Sequence, residues 1–234
     1  MDVQFRFPDS SHRQFICGRT GSGKTVAACW NLLHRNFRSA PWIVLNHKGT
    51  ALIDDIEGAE HVDLDFYPKK PGIYIYHPVP ENDDEYVTKL FWKMLARGNV
   101  GLYEDEGYMI NARDPGQRAL LTQGREKKIP IIIATQRPVA LSRFAVSEAD
   151  FFQVFQLNDD EDIKRVRGFI PFDLKYWMKT EANEVPKLGQ HCSIWYDVSR
   201  NNLVKLEPVP PESKILEKFY EALKPQESRK RIFI

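Results

Sequence analysis

Eight consecutive residues restrict this chain more than any other stretch. Gly18, Arg19, Thr20, Gly21, Ser22, Gly23, Lys24 and Thr25 satisfy every fixed position of the pattern G-x-x-x-x-G-K-[ST]. Gln14-Phe-Ile-Cys17 before them is a short apolar run that reads as a strand. Val26, Trp30 and Leu33 after them fall on one helical face. A strand, a glycine-rich turn and a helix N-terminus together make an anion site. Gly21 and Gly23 let the backbone turn its N–H groups inward, and the helix dipole adds positive potential there. Lys24 is expected to reach the β- and γ-phosphates of a nucleoside triphosphate, and the Thr25 hydroxyl to bind Mg²⁺.

The rest of the chain alternates in the same way. Apolar strands are expected at 42–45, 73–76, 100–103, 130–134 and 151–155, separated by helical or irregular stretches. Asn82 with Glu85 predicts a helix cap ahead of a helix to Arg97. Asp114-Pro115 predicts another helix, and Asn158 with Glu161 a short basic one ending at Gly168. A hairpin is expected between Gly189 and Leu206, an amphipathic helix over 212–224, and a basic tail with Arg229, Lys230 and Arg231. This pattern predicts an α/β fold of the P-loop type: three layers, a mainly parallel central sheet, and a C-terminal hairpin plus helix. We expect a single domain over 1–234, with a core of about 13–170 and the hairpin, helix and tail over about 171–234.

Ligands of such sheets gather at the carboxyl ends of the strands. Three polar motifs stand there: Gly18–Thr25, Glu104–Glu106 and Thr135–Gln136. Asp105, after an apolar strand, suits a metal ligand. Glu106 suits the general base that polarises the attacking water. Alternation puts Glu104 on the opposite face from Asp105, which argues against Glu104 as the working acid. Gln136 is placed to sense the γ-phosphate or hold the water. Arg125, Arg137 and Arg143 are candidates for the arginine that stabilises transition-state charge, acting within a subunit or on a neighbour's nucleotide.

Gly18–Thr25, the strand ending in Asp105-Glu106, Thr122-Gln-Gly-Arg125 and Ile133-Ala-Thr-Gln136-Arg-Pro138 together resemble the FtsK–HerA superfamily of DNA-pumping ATPases. The resemblance runs over roughly 13–200. It implies a P-loop core with an additional strand, ATP hydrolysis with Mg²⁺, assembly into a homo-oligomeric ring (usually a hexamer) and translocation of double-stranded DNA. It gives Lys24, Thr25, Asp105, Glu106 and Gln136 the roles above, and Arg125 or a nearby arginine that of the finger. Asn46-His-Lys48-Gly49 resembles the family's D-P-K-G turn, with Asn46 in place of the acid. A bare motor of this length is most similar to the genome-packaging ATPases of tailless, internal-membrane viruses of the tectivirus-like group. That resemblance implies a ring at a capsid vertex with capsid or portal partners, in the virion or the host cytoplasm.

Composition narrows the alternatives. At 42% hydrophobic and 28% charged the chain reads as an ordinary soluble globular protein, without a signal peptide or membrane-length apolar run. A net charge of +1 argues against a monomer that coats nucleic acid, but not against a ring concentrating a few basic residues. Tyr108, Asn111 and Arg113, or Lys164, Arg165 and Arg167, are candidate DNA contacts. Cys17, Cys29 and Cys192 form no C-x-x-C pair and suit a reducing compartment. The six histidines have no metal-ligand spacing and read as surface or core groups. A plasmid, conjugative or segregation DNA pump would share every motif. A small P-loop nucleotide kinase also fits the length, although it would not need Glu106.

Overall fold

Apolar side chains alternate between the two faces of each central strand, so the sheet must be covered on both sides. The computed structural model describes residues 5–171, 178 and 188–224. Among these, the strands are β1 (Arg13–Cys17), β2 (Pro41–Asn46), β3 (Glu60–His61), β4 (Gly72–Tyr76), β5 (Gly101–Asp105), β6 (Ile131–Thr135), β7 (Phe151–Val154), β8 (Ser193–Asp197) and β9 (Asn202–Leu206). The helices are α1 (Lys24–Leu33), α2 (Ala51–Asp54), α3 (Asp84–Arg97), α4 (Pro115–Gln123), α5 (Arg143–Ser147), α6 (Asp160–Arg167) and α7 (Glu212–Leu223).

The strands form one sheet in the order β3-β4-β2-β5-β6-β1-β7-β8-β9. Pairing is parallel from β3 to β7. The hairpin β8–β9 then extends the sheet antiparallel to β7. Strand β6 lies between the P-loop strand β1 and the acid-bearing strand β5, which is the additional strand that the resemblance implies. The α/β fold with a mainly parallel sheet is as expected.

One face, carrying Ile16, Val44, Tyr103 and Ile132, is covered by α1, α2 and α7 through Ala28, Leu32, Ile53, Ile215 and Phe219. The other, carrying Phe15, Ile43, Leu102 and Ile133, is covered by α3, α4, α5 and α6. Consecutive residues of β5 therefore serve opposite layers. That fixes where Glu104 and Asp105 go.

Several local expectations are displaced. Asn82 does not cap α3: the cap position is Asp83, and the Asp83 side chain accepts from the Val79 N–H instead. Asp159, not Asn158, caps α6, accepting from the N–H groups of Glu161 and Asp162. In both places two adjacent residues are competent to cap, and the second of them takes the position. Asp114 caps α4 through the Gln117 N–H with Pro115 at the first helical position, as expected. The stretch between β6 and β7 contains α5, whose Ala145 and Val146 are buried. The basic tail at Arg229–Arg231 lies outside the described residues.

Candidate active site

The phosphate loop leaves β1 between its two neighbours. The Gly18 N–H donates to the Thr135 carbonyl at the end of β6, and the Arg19 N–H to the Gln156 carbonyl beyond β7. Only glycine fits at position 18: a Cβ there would stand 2.5 Å from Phe155 Cβ and 2.6 Å from Ser22 Oγ. Gly23, at φ +92°, takes the left-handed conformation that hands the chain into α1. Ser22 Oγ is buried without a hydrogen-bond partner, a polar group facing a cradle built for one. Arg19 and Thr20 are exposed on the rim.

The two acids of β5 and the residue after it divide by face. Asp105, 1% exposed, accepts hydrogen bonds from Tyr103 OH at 3.0 Å and Thr50 Oγ1 at 3.1 Å. Thr25 Oγ1 lies 3.4 Å from the same carboxylate. Burial raises the Asp105 pKa and the nearby Glu106 charge acts the same way, outweighing the hydrogen bonds from Tyr103 and Thr50 and the positive charge of Lys24. Glu104 points into the other layer, where Gln117 Nε2 donates to its Oε2 at 2.9 Å. Its Oε1 is buried without a partner, and burial pushes its pKa up to about 8. Alternation along β5 thus turns Glu104 away from Asp105, as expected.

Glu106 leaves the strand at φ +54°, the left-handed region that few non-glycine residues occupy. Its side chain, 2% exposed, turns back toward the P-loop. Oε1 meets Lys24 Nζ at 3.0 Å and Lys48 Nζ at 2.9 Å, and Oε2 accepts from the Gln136 N–H at 3.0 Å. Gln136 in turn joins two loops. Its Oε1 accepts from Thr20 Oγ1 at 2.6 Å and its Nε2 donates to Tyr108 OH at 3.0 Å. Lys24, Thr25, Asp105, Glu106 and Gln136 thus come from three strand ends into one cluster.

The other candidate residues separate. Arg125 follows α4 at the amino edge of the sheet, paired with Asp150 just ahead of β7 and away from this cluster. Arg137 stays on the carboxyl edge, 3.5 Å from Asp162 and 3.7 Å from Asp159, and half-exposed. Arg143 is exposed. Tyr108, named as a DNA contact, is partly buried against Gln136, whereas Asn111, Arg113, Lys164 and Arg167 are exposed.

The turn after β2 was legible in the sequence, but not the contacts of Lys48 and Thr50. Strand pairing sets Asn46 opposite Asp105. Asn46 Oδ1 accepts from the Thr50 N–H at 2.9 Å, closing a turn that aims Thr50 at Asp105 and Lys48 at Glu106. The likeness to the D-P-K-G turn was a signal that Lys48 belonged here. His191 was also missed. It stands against Gly23, between a cavity of 200 Å³ beside Arg19, Ser22 and Gln156 and one of 290 Å³ beside Val26 and Pro208–Glu212.

No protein-family model matches the chain. The chain is 56% identical over 217 residues to DNA packaging ATPase P9 of Enterobacteria phage PRD1, spanning 93% of this chain and 96% of that protein. Its fold is similar to B204, the DNA-packaging ATPase from Sulfolobus Turreted Icosahedral Virus, with a TM-score of 0.62 at 19% identity over 86% of this chain and 98% of that one. The B204 genome packaging NTPase of Sulfolobus turreted icosahedral virus 2, in complex with AMP, gives 0.60 at 17% identity over 87% and 100%. EssC (ATPases 2 and 3) from Geobacillus thermodenitrificans gives 0.58 at 11% identity, over 91% of this chain and 44% of that one. The likeness to the phage protein extends over nearly the whole of both sequences, in agreement with the resemblance carried by the motifs, and the chain belongs to the family of DNA-packaging ATPases.

Proposed function

We propose that this chain is an Mg²⁺-dependent ATPase that works in a ring, a hexamer by the family resemblance, and drives double-stranded viral DNA into a preformed capsid at a vertex. We take residues 1–234 as one motor domain. The single observation that carries the catalytic reading is the Glu106 carboxylate. It is buried, held in a left-handed backbone, fixed by two lysines and one backbone N–H, and adjacent to the Thr25–Asp105 pair. Backbone strain of this kind, about 1–3 kcal/mol, persists where surrounding contacts over-determine it, and such positions cluster at working sites.

The residues present fit a nucleotide and its metal. Gly18–Thr25 supply the phosphate cradle, with the unpartnered Ser22 hydroxyl and the α1 N-terminus facing it. The cavities flanking His191 suit the base and ribose. Thr25 and Asp105 would hold Mg²⁺, whose charge would offset that of the β- and γ-phosphates. With a triphosphate in the cradle, Lys24 exchanges its contact with Glu106 for phosphate oxygens. Glu106, still steadied by Lys48 and the Gln136 N–H, then accepts a proton from the attacking water. Gln136 links Thr20 of the P-loop to Tyr108 beyond β5, so a change at the γ-phosphate position reaches the loop that carries Asn111 and Arg113. Those two, with Lys164 and Arg167 on α6, are the exposed polar and basic groups we assign to the DNA side. Arg125 would act as a finger on a neighbouring subunit's nucleotide.

The test is Glu106→Gln, which keeps the size of the side chain but removes the base and one of its two acceptor oxygens. ATP affinity should persist, and turnover should fall by about 10²- to 10⁴-fold. Turnover near that of the unmodified chain would remove Glu106 from the role.

A further inference from the structure

We propose that Asp54, His61 and His77 form a binding site for a divalent transition metal of the zinc class, separate from the nucleotide's Mg²⁺. Sequence spacing gave no hint of it, because 16 residues separate the two histidines and the topology brings them together. Asp54 ends α2, His61 ends the two-residue edge strand β3, and His77 follows β4 directly. Parallel pairing of β3 with β4 sets His61 opposite Ile75, two residues before His77. One ligand atom from each of the three residues lies within 4.8 Å of the others.

Two of the three separations are those of a coordination shell. His61 Nδ1 and His77 Nε2 are 3.3 Å apart, and His77 Nε2 and Asp54 Oδ1 are 3.4 Å apart. Ligands at about 2.0–2.1 Å from a tetrahedral Zn²⁺ stand about 3.3–3.4 Å from one another. The outer contacts also fit. His61 Nε2 lies 3.3 Å from the Asp54 carbonyl, which fixes the proton on Nε2 and leaves the Nδ1 lone pair facing inward. Asp54 Oδ1 accepts from Asn46 Nδ2 at 2.8 Å. The Nδ1 lone pair and the Asp54 carboxylate therefore converge on a single His77 nitrogen, whose one proton serves them poorly. A cation serves all three.

Two imidazoles and one carboxylate select Zn²⁺ and its first-row neighbours over Mg²⁺, which prefers oxygen donors. His61 and His77 are exposed, so a metal can enter and a water can complete its shell. A bound ion would fasten the short edge strand β3 to β4 and α2. Through Asn46 it would also stiffen the turn that carries Thr50 to Asp105 and Lys48 to Glu106.

The experiment uses the full chain, stripped with chelator and free of nucleotide, titrated with Zn²⁺ calorimetrically and with Co²⁺ optically. The expected result is one saturable Zn²⁺ per chain, undisturbed by excess Mg²⁺, with Co²⁺ giving the intense visible bands of a tetrahedral site. His61→Ala and His77→Ala should each abolish the Co²⁺ bands and the rise in Tm on adding Zn²⁺. Asn46→Ala should weaken binding by about 10- to 100-fold, and His34→Ala should leave it intact. Absence of saturable Zn²⁺ binding to the unmodified chain would overturn the proposal without reference to any variant. Binding and Co²⁺ bands that survive in both His61→Ala and His77→Ala would overturn it equally, by placing the metal elsewhere.

Discussion

Glu104→Gln separates the two neighbouring glutamates of the site by a property unrelated to turnover. Glu104 is fully buried in the α3/α4 layer, hydrogen-bonded to Gln117 and pushed up to about 8 by burial. Its folded pKa therefore lies above the unfolded value of 4.5, the reverse of the usual paired carboxylate. Below pH 4.5 both states hold the proton and the residue is neutral toward stability. As pH rises toward 8 the native state keeps a proton that the unfolded chain has released, and stability falls by about 1.4 kcal/mol per pH unit. The full cost, reached above pH 8, is roughly 5 kcal/mol, and at pH 7 roughly 3 kcal/mol. Glutamine cannot ionise and can still accept from Gln117. Glu104→Gln should match the unmodified chain near pH 4.5 and exceed it increasingly up to pH 8. At pH 7 the gain in Tm should be roughly 6–12 °C for a chain of this size. The assay is thermal or urea unfolding of both proteins across pH 4.5–9. A stability difference that does not change with pH would refute the buried, proton-holding state of Glu104.

Lys48→Ala removes one of the two cations fixing Glu106, and a hydrogen bond to a charged group is worth about 1.5–3 kcal/mol. Turnover should fall roughly 10- to 100-fold with ATP affinity retained, measured by steady-state hydrolysis and nucleotide titration; loss of affinity instead would make Lys48 a phosphate ligand. Arg125→Ala breaks only a half-exposed ion pair with Asp150, worth about 0–1 kcal/mol of stability. If Arg125 serves a neighbouring subunit, turnover should still fall about 10³-fold or more, and mixing with a Glu106→Gln chain should restore part of it. Unchanged turnover would leave Arg125 a surface group.

What could be read from the sequence was local. The P-loop, its flanking strand and helix, and the acids after β5 are each specified within a few residues, and their strands declare themselves by unbroken apolar runs. The opposite facing of Glu104 and Asp105 followed from alternation alone. What could not be read depends on which strand lies beside which. Thr50 reaches Asp105 only because β2 pairs with β5, and Thr20 meets Gln136 only because β6 pairs with β1. Asp54, His61 and His77 converge through the pairing of β3, a strand of two residues too short to leave a pattern. Arg125 illustrates the converse. Its motif was legible, but the direction of α4 carries it to the far edge of the sheet, and only assembly with another subunit could bring it to a nucleotide.

An ATP-driven DNA motor is tested by its ATP hydrolysis rate with and without long double-stranded DNA, at low and moderate salt, with Glu106→Gln as the blank. Mg²⁺-dependent hydrolysis should be stimulated by DNA, with the stimulation fading as salt rises because phosphate contacts are lost. Hydrolysis indifferent to DNA at every salt concentration would contradict such a motor.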